Sequence, residues 1–163
     1  MAGPLTGIRV LDLTRVLAGP WATQLLADFG AEVIKIEKPG EGDDTRGWGP
    51  PFVTNGDGSR GDAAYFLSAN RGKWSVAIDM ASAEGQALIR SLAAQSDIVI
   101  ENFKVGGLKK YGLDYESLKA VKPDLIMVST CLMGQTGPLA SYAGFGNLAA
   151  SITGFGNLCG WPD

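Results

Sequence analysis

The chain has 163 residues, 45% of them hydrophobic and 19% charged, with a net charge of −3. A chain of this length can bury roughly 70% of its unfolded surface in one domain, which sets disorder aside, and its mildly acidic balance offers no bulk attraction to nucleic acid or to an anionic membrane. It contains no histidine, which excludes Ser-His-Asp and Cys-His catalysis and argues against a zinc site.

The first element is a short apolar strand from Ile8 to Thr14, followed by a tight loop at Arg15-Val16-Leu17-Ala18-Gly19-Pro20. A helix is predicted from Ala18 to Phe29, with Trp21, Ala22, Leu25, Leu26 and Phe29 on one face at helical spacing and Gly30 as its stop. The second strand runs from Glu32 to Glu37, where Val33, Ile34 and Ile36 are interleaved with charges. Strand, crossover helix and strand within about 30 residues make a βαβ unit. In such sheets ligands bind beyond the carboxyl ends of the strands, and helix N-terminal N–H groups attract anions. An ordinary strand-to-helix turn is the alternative reading of this first loop. The G-x-G-x-x-G pattern of a nicotinamide-nucleotide site is absent.

Pro39 to Asp62 is dense in Gly, Pro, Asp, Asn and Arg and is expected to be one long polar loop. Within it, Asp43, Asp44 and Arg46 point to a salt-bridged local turn rather than to catalysis. A strand is predicted from Ser75 to Met80, and Ser82 can cap a helix through Gln95. Ile98 to Glu101 is the next strand; Asp114 can cap a short helix ending near Pro123; Leu125 to Thr130 is the last strand. Gly134-Gln135-Thr136-Gly137-Pro138 is a turn placed to act as a lid. Cys131 is expected to be a small buried hydrophobe, since nothing here would activate its thiol. The alternation of strands and helices predicts an α/β fold, a mostly parallel sheet with helices on both faces, as one domain over residues 1–163.

Basic residues recur after successive strands: Lys35 and Lys38, then Arg71 and Lys73, then Lys104, Lys109 and Lys110. Converging at one sheet edge, some of them would bind a 3′-phosphate and pyrophosphate; taken singly, each is an ordinary surface cation. Asp79 at a strand end either caps a helix or holds a ligand hydroxyl. Glu101-Asn102-Phe103 ends a strand with an amide and a ring, suited to a buried aromatic contact or to adenine stacking.

Leu11-Asp12-Leu13-Thr14, Ala18-Gly19-Pro20, Leu26 to Glu37, Gly42-Asp43, Thr45-Arg46, Asn70-Arg71-Gly72-Lys73, Asp79-Met80, Glu101-Asn102-Phe103 and Gly134 to Pro138 follow one another in the order and spacing of the class III CoA-transferases. Over essentially its whole length the chain resembles that family, which includes the formyl-CoA and carnitine CoA-transferases. The resemblance implies a Rossmann-like N-terminal part completed by the chain's return from a smaller second domain, in an interlocked homodimer. It implies coenzyme A or an acyl-CoA as substrate, a carboxylic acid as partner, no metal, and CoA contacts at Leu17, Ala18, Lys38, Asp79, Met80, Asn102, Phe103 and Lys110. Arg15, Arg71 and Lys73 join these as candidate phosphate contacts. Several relatives carry arginine where Lys38 and Lys110 stand, so the grip here lacks the guanidinium fork.

The family's nucleophile is an aspartate that forms an acyl anhydride and then an aspartyl-CoA thioester. By resemblance it falls shortly beyond residue 163, so this chain is expected to be the start of a longer protein and inactive alone; Asp163 matches the preceding Trp-Pro-Asp turn and is not assigned the role. Related acyl-CoA racemases carry a histidine near the place of Phe145, which cannot move a proton. A racemase relative and a non-catalytic CoA- or nucleotide-binding module are the alternatives. No apolar run approaches about 18 residues and no secretory signal is seen, so a cytoplasmic location and no membrane partner are expected.

Overall fold

The computed structural model describes residues 3–159. Five strands form one parallel sheet: β1 (Arg9–Asp12), β2 (Glu32–Glu37), β5 (Lys73–Ala77), β6 (Ile98–Glu101) and β7 (Ile126–Ser129), in the order β5-β2-β1-β6-β7. Between β2 and β5 lie β3 (Phe52–Thr54) and β4 (Arg60–Ala63), a separate antiparallel pair. The helices are α1 (Ala18–Asp28), α2 (Ala64–Asn70), α3 (Ala83–Ala94), α4 (Tyr115–Lys119) and α5 (Gly146–Ile152). None is long and apolar enough to cross a membrane.

The sheet is α/β as expected, and its residues alternate between two cores. Leu11, Leu13, Ile36 and Val99 face α3 and α4, packing with Ile89, Ala93 and Leu118. Val10, Val33 and Ile100 face the α1 side, with Ala31 and the partly buried Leu26 and Ala27. Two predicted caps are present: Ser82 accepts from the Gly85 N–H and Asp114 from the Ser117 N–H, each at 2.9 Å. Gly30, at φ +98°, ends α1 in a conformation that a side chain would strain.

Four expectations fail. Pro39 to Asp62 is not one loop: Asp44–Gly47 is a 3-10 turn and Phe52 to Ala63 a hairpin. The helix α2 was not anticipated. Cys131 is only partly buried. The face of α1 is largely turned about: of the expected residues Leu26 packs on the core, but Trp21, Leu25 and Phe29 are exposed, whereas Gly19, Pro20, Thr23 and Gln24 are buried. Thr23 Oγ1 donates to Asp12 at 2.6 Å, and Gln24 bonds the Ser68 carbonyl and the Arg71 N–H at 3.0 Å. Polar satisfaction inside, rather than apolar spacing, sets how this helix is turned.

Candidate nucleotide site

The sheet order reverses between β1 and β6, and ligands of open α/β sheets bind beyond the carboxyl ends of the strands at such a point. There the chain leaves β1 through Leu13-Thr14-Arg15 and β6 through Asn102-Phe103. A cleft of about 170 Å³ is lined by Arg15, Lys38, Asp79, Met80 and Phe103 together with Leu13, Glu37 and Tyr111. A second hollow of about 370 Å³ shares Phe103 and is lined also by Asn102, Cys131, Tyr142 and Phe145. The Arg15 guanidinium lies 5.8 Å from the Phe103 ring centre, so a cation and an aromatic face flank the first cleft.

The remaining candidates are distributed differently. Leu17 and Ala18 form the start of α1, which has neither a side-chain cap nor an acidic residue in its first turn; its positive dipole end is therefore left for an anion. Lys110 is exposed, with its ammonium 4.5 Å from the Tyr111 ring centre. Lys38 is half-exposed and pairs with Glu41 at 2.8 Å, a contact a phosphate would displace at little cost. Asp79 accepts the Ala81 N–H at 2.9 Å, a local turn that presents Met80 to the cleft.

Arg71 and Lys73 are not among the residues lining this cleft. Arg71 pairs with Asp28 at 2.6 Å at the far end of α1, away from the strand carboxyl ends. The Lys73 side chain is 2% exposed, and its ammonium donates to Asp12, the Pro20 carbonyl and Asn70 at 2.8–3.1 Å. All three donors are thus paired within the protein. Burial pulls its pKa down to about 8, against the opposing charge and hydrogen bond of Asp12.

Lys35 is likewise buried, not a surface cation: it pairs with Asp43 at 2.9 Å, the two side chains 1% and 0% exposed. Arg46 bonds Glu37 through two nitrogens at 2.7 Å and Asp62 at 2.6 Å, lying 3.7 Å over the Phe66 ring. The expected salt-bridged turn is thus present, but it reaches into the sheet. Burial pushes the Glu37 carboxyl up, yet the hydrogen bonds from Arg46 and Ser75 and the Arg46 charge outweigh it and hold the group below its ordinary 4.5. For Asp43, burial is outweighed by the Lys35 charge and the Thr45 N–H and hydroxyl, leaving it below 3.8. The unfolded chain therefore takes up these protons first, and stability present above these ordinary values is lost as pH falls through the lower folded ones. The urea midpoint is expected to be flat from about pH 7 to 5 and to fall below about pH 4.5; a midpoint unchanged down to pH 3 would remove these two groups from the account.

The model of CoA-transferase family III matches residues 5–163. The chain belongs to that family. It is 56% identical over 160 residues to the succinate–glutarate CoA-transferase of Agrobacterium fabrum, covering 98% of this chain and 40% of that protein. To the succinyl-CoA:glutarate CoA-transferase of Mus musculus it is 46% identical over 160 residues, covering 98% and 35%. The crystal structure of a CAIB/BAIF family protein from Brucella suis superposes with a TM-score of 0.93 at 53% identity, covering all of this chain and 42% of that one. The chain thus spans about two fifths of the length of these family III proteins. The Gly160 to Asp163 turn lies outside the described residues. Among those described, no group of His, Cys, Asp and Glu could hold a metal ion.

The sequence reading missed Asp12, Lys35 and Glu37 as buried groups. The signal was present: strands of a parallel sheet covered on both faces are normally continuous apolar runs, and these charges interrupt them.

Proposed function

We propose that the complete protein is a CoA-transferase, moving CoA from an acyl-CoA thioester to a carboxylic acid. The chain described here supplies the nucleotide cleft. The nucleophilic aspartate comes from sequence beyond residue 163, and a homodimer completes the site. The observation carrying this reading is the convergence of Arg15, Lys38, Asp79, Met80 and Phe103 on one cleft at the β1/β6 reversal. A small dicarboxylate pair such as succinate and glutarate is the first choice of acids, because relatives 46–56% identical are named for those substrates. Phe145, 66% exposed beside Trp48, offers no proton-transfer group and gives the racemase alternative no support.

The test is to incubate the complete protein with succinyl-CoA and glutarate and follow glutaryl-CoA by chromatography. Turnover supports the assignment; hydrolysis alone, or no reaction across a panel of acyl-CoA and acid pairs, contradicts it. Lys38→Ala with Lys110→Ala together are expected to weaken CoA binding by about tenfold or more, since each removes a charge-assisted phosphate contact. Unchanged calorimetric affinity would exclude both lysines from the phosphate site.

A further inference from the structure

Val16 is the one non-glycine residue among those described with positive φ, at +68°. A β-branched side chain in that region is a true outlier, held only where surrounding contacts impose it. The contacts can be named. The Thr14 N–H donates to Asp12 at 2.9 Å, and the Thr14 carbonyl accepts from Lys35 Nζ at 2.8 Å. Arg15 is gripped on both backbone groups by Asn102, whose Oδ1 accepts at 2.9 Å and whose Nδ2 donates at 2.7 Å. The Val16 N–H donates to both Asp43 oxygens at 3.3–3.4 Å.

The buried Lys35–Asp43 pair therefore reaches both sides of Arg15, through the carbonyl of the residue before it and the N–H of the residue after it. Arg15 lines the cleft, and α1 begins two residues after Val16. We propose that the Lys35–Asp43 ion pair is a positioning clamp: it imposes the Val16 conformation and so presets the Arg15 side chain and the start of α1 for the nucleotide. The binding half of this inference rests on the CoA reading; the conformational half does not. Preorganisation of this kind raises affinity by removing the cost of ordering a turn when the ligand arrives.

The double variant Lys35→Met/Asp43→Asn removes both charges without leaving either unpaired, and is expected to fold. In the complete protein, amide exchange by NMR or mass spectrometry at Thr14, Arg15 and Val16 should quicken by about 100-fold while Val99 and Ile100 on β6 stay protected. CoA affinity, by calorimetry, should fall by about tenfold. Leu118→Ala, a core change on α4, serves as the control: it should lower stability and leave affinity alone. Should this pair of substitutions fail to fold, Lys35→Leu/Asp43→Asn, which likewise leaves no buried charge unpaired, carries the same measurements. Wild-type protection at Val16 in the variant would overturn the clamp. Lost protection with wild-type affinity would overturn its role in binding. A wild-type protein that does not bind CoA would remove the functional reading and the binding half with it, while exchange at Val16 still decides the conformational half.

Discussion

Lys35→Met alone is expected to destabilise the protein by about 3–5 kcal/mol, because it leaves Asp43 as an uncompensated charge in the interior. For a domain of this size that is a fall in melting temperature of roughly 6–20 °C. The cause is the missing partner rather than the missing pair: Lys35 and Asp43 are both buried, and Asp43 also accepts from Thr45 and Val16, so it cannot turn to water. Replacing both charges should recover most of the loss, since a neutral pair of similar volume carries no buried ion. The pH dependence separates these cases. In the wild type Asp43 sits below its ordinary pKa, so acid destabilises. Removing Lys35 takes away the charge that most lowers it, so the folded-state pKa moves up and less stability is lost at this group as pH falls. The single variant should therefore gain relative to wild type on acidification from about pH 5 to pH 3, as read by urea midpoints. A loss that is independent of pH, or no loss, would contradict the account of this pair.

Gly85→Ala is expected to be the second severe change. A Cβ there would lie 1.9 Å from the Asp79 carbonyl oxygen and 2.7 Å from its carbon, both backbone atoms. The first turn of α3 must then move away from Asp79-Met80, and overpacking of this kind costs about 1–3 kcal/mol or more. Asp79 and Met80 line the cleft, so CoA affinity should fall along with stability. Gly146→Ala provides the contrast: nothing lies within 4 Å of a Cβ there and its φ is not positive, so stability should be within about 0.5 kcal/mol of wild type. Equal effects of the two substitutions in calorimetric melts would show that the close approach at Gly85 is not what matters.

The parallel sheet is legible in the sequence because short strand-like runs alternate with helices, several of which have a recognisable start or stop. The strand Ile98–Glu101 coincides with its expected range, and Ser82 and Asp114 cap as expected. The hairpin Phe52 to Ala63 was hidden by composition, although Asn55-Gly56 and Asp57-Gly58 are residues that hairpin turns favour. Apolar spacing alone turns α1 the wrong way, because the polar Thr23 and Gln24 lie on its buried side. They instead satisfy Asp12, Ser68 and Arg71 inside the protein. Lysines posed the same difficulty. Lys38 and Lys110 sit on the surface and Lys35 and Lys73 in the interior, and spacing along the chain does not distinguish them. What separates them is a carboxylate from another element: Asp43 for Lys35, Asp12 for Lys73. Arg15, Asp79, Met80 and Phe103 come together because each follows the carboxyl end of a strand in one sheet, an arrangement the order of elements already implied.

The most direct measurement is a crystal structure of the complete protein with CoA bound. The account predicts the adenosine phosphates against Arg15, Lys38 and Lys110, with Phe103 and Met80 alongside the nucleotide. CoA bound at a surface that touches none of these residues would contradict it.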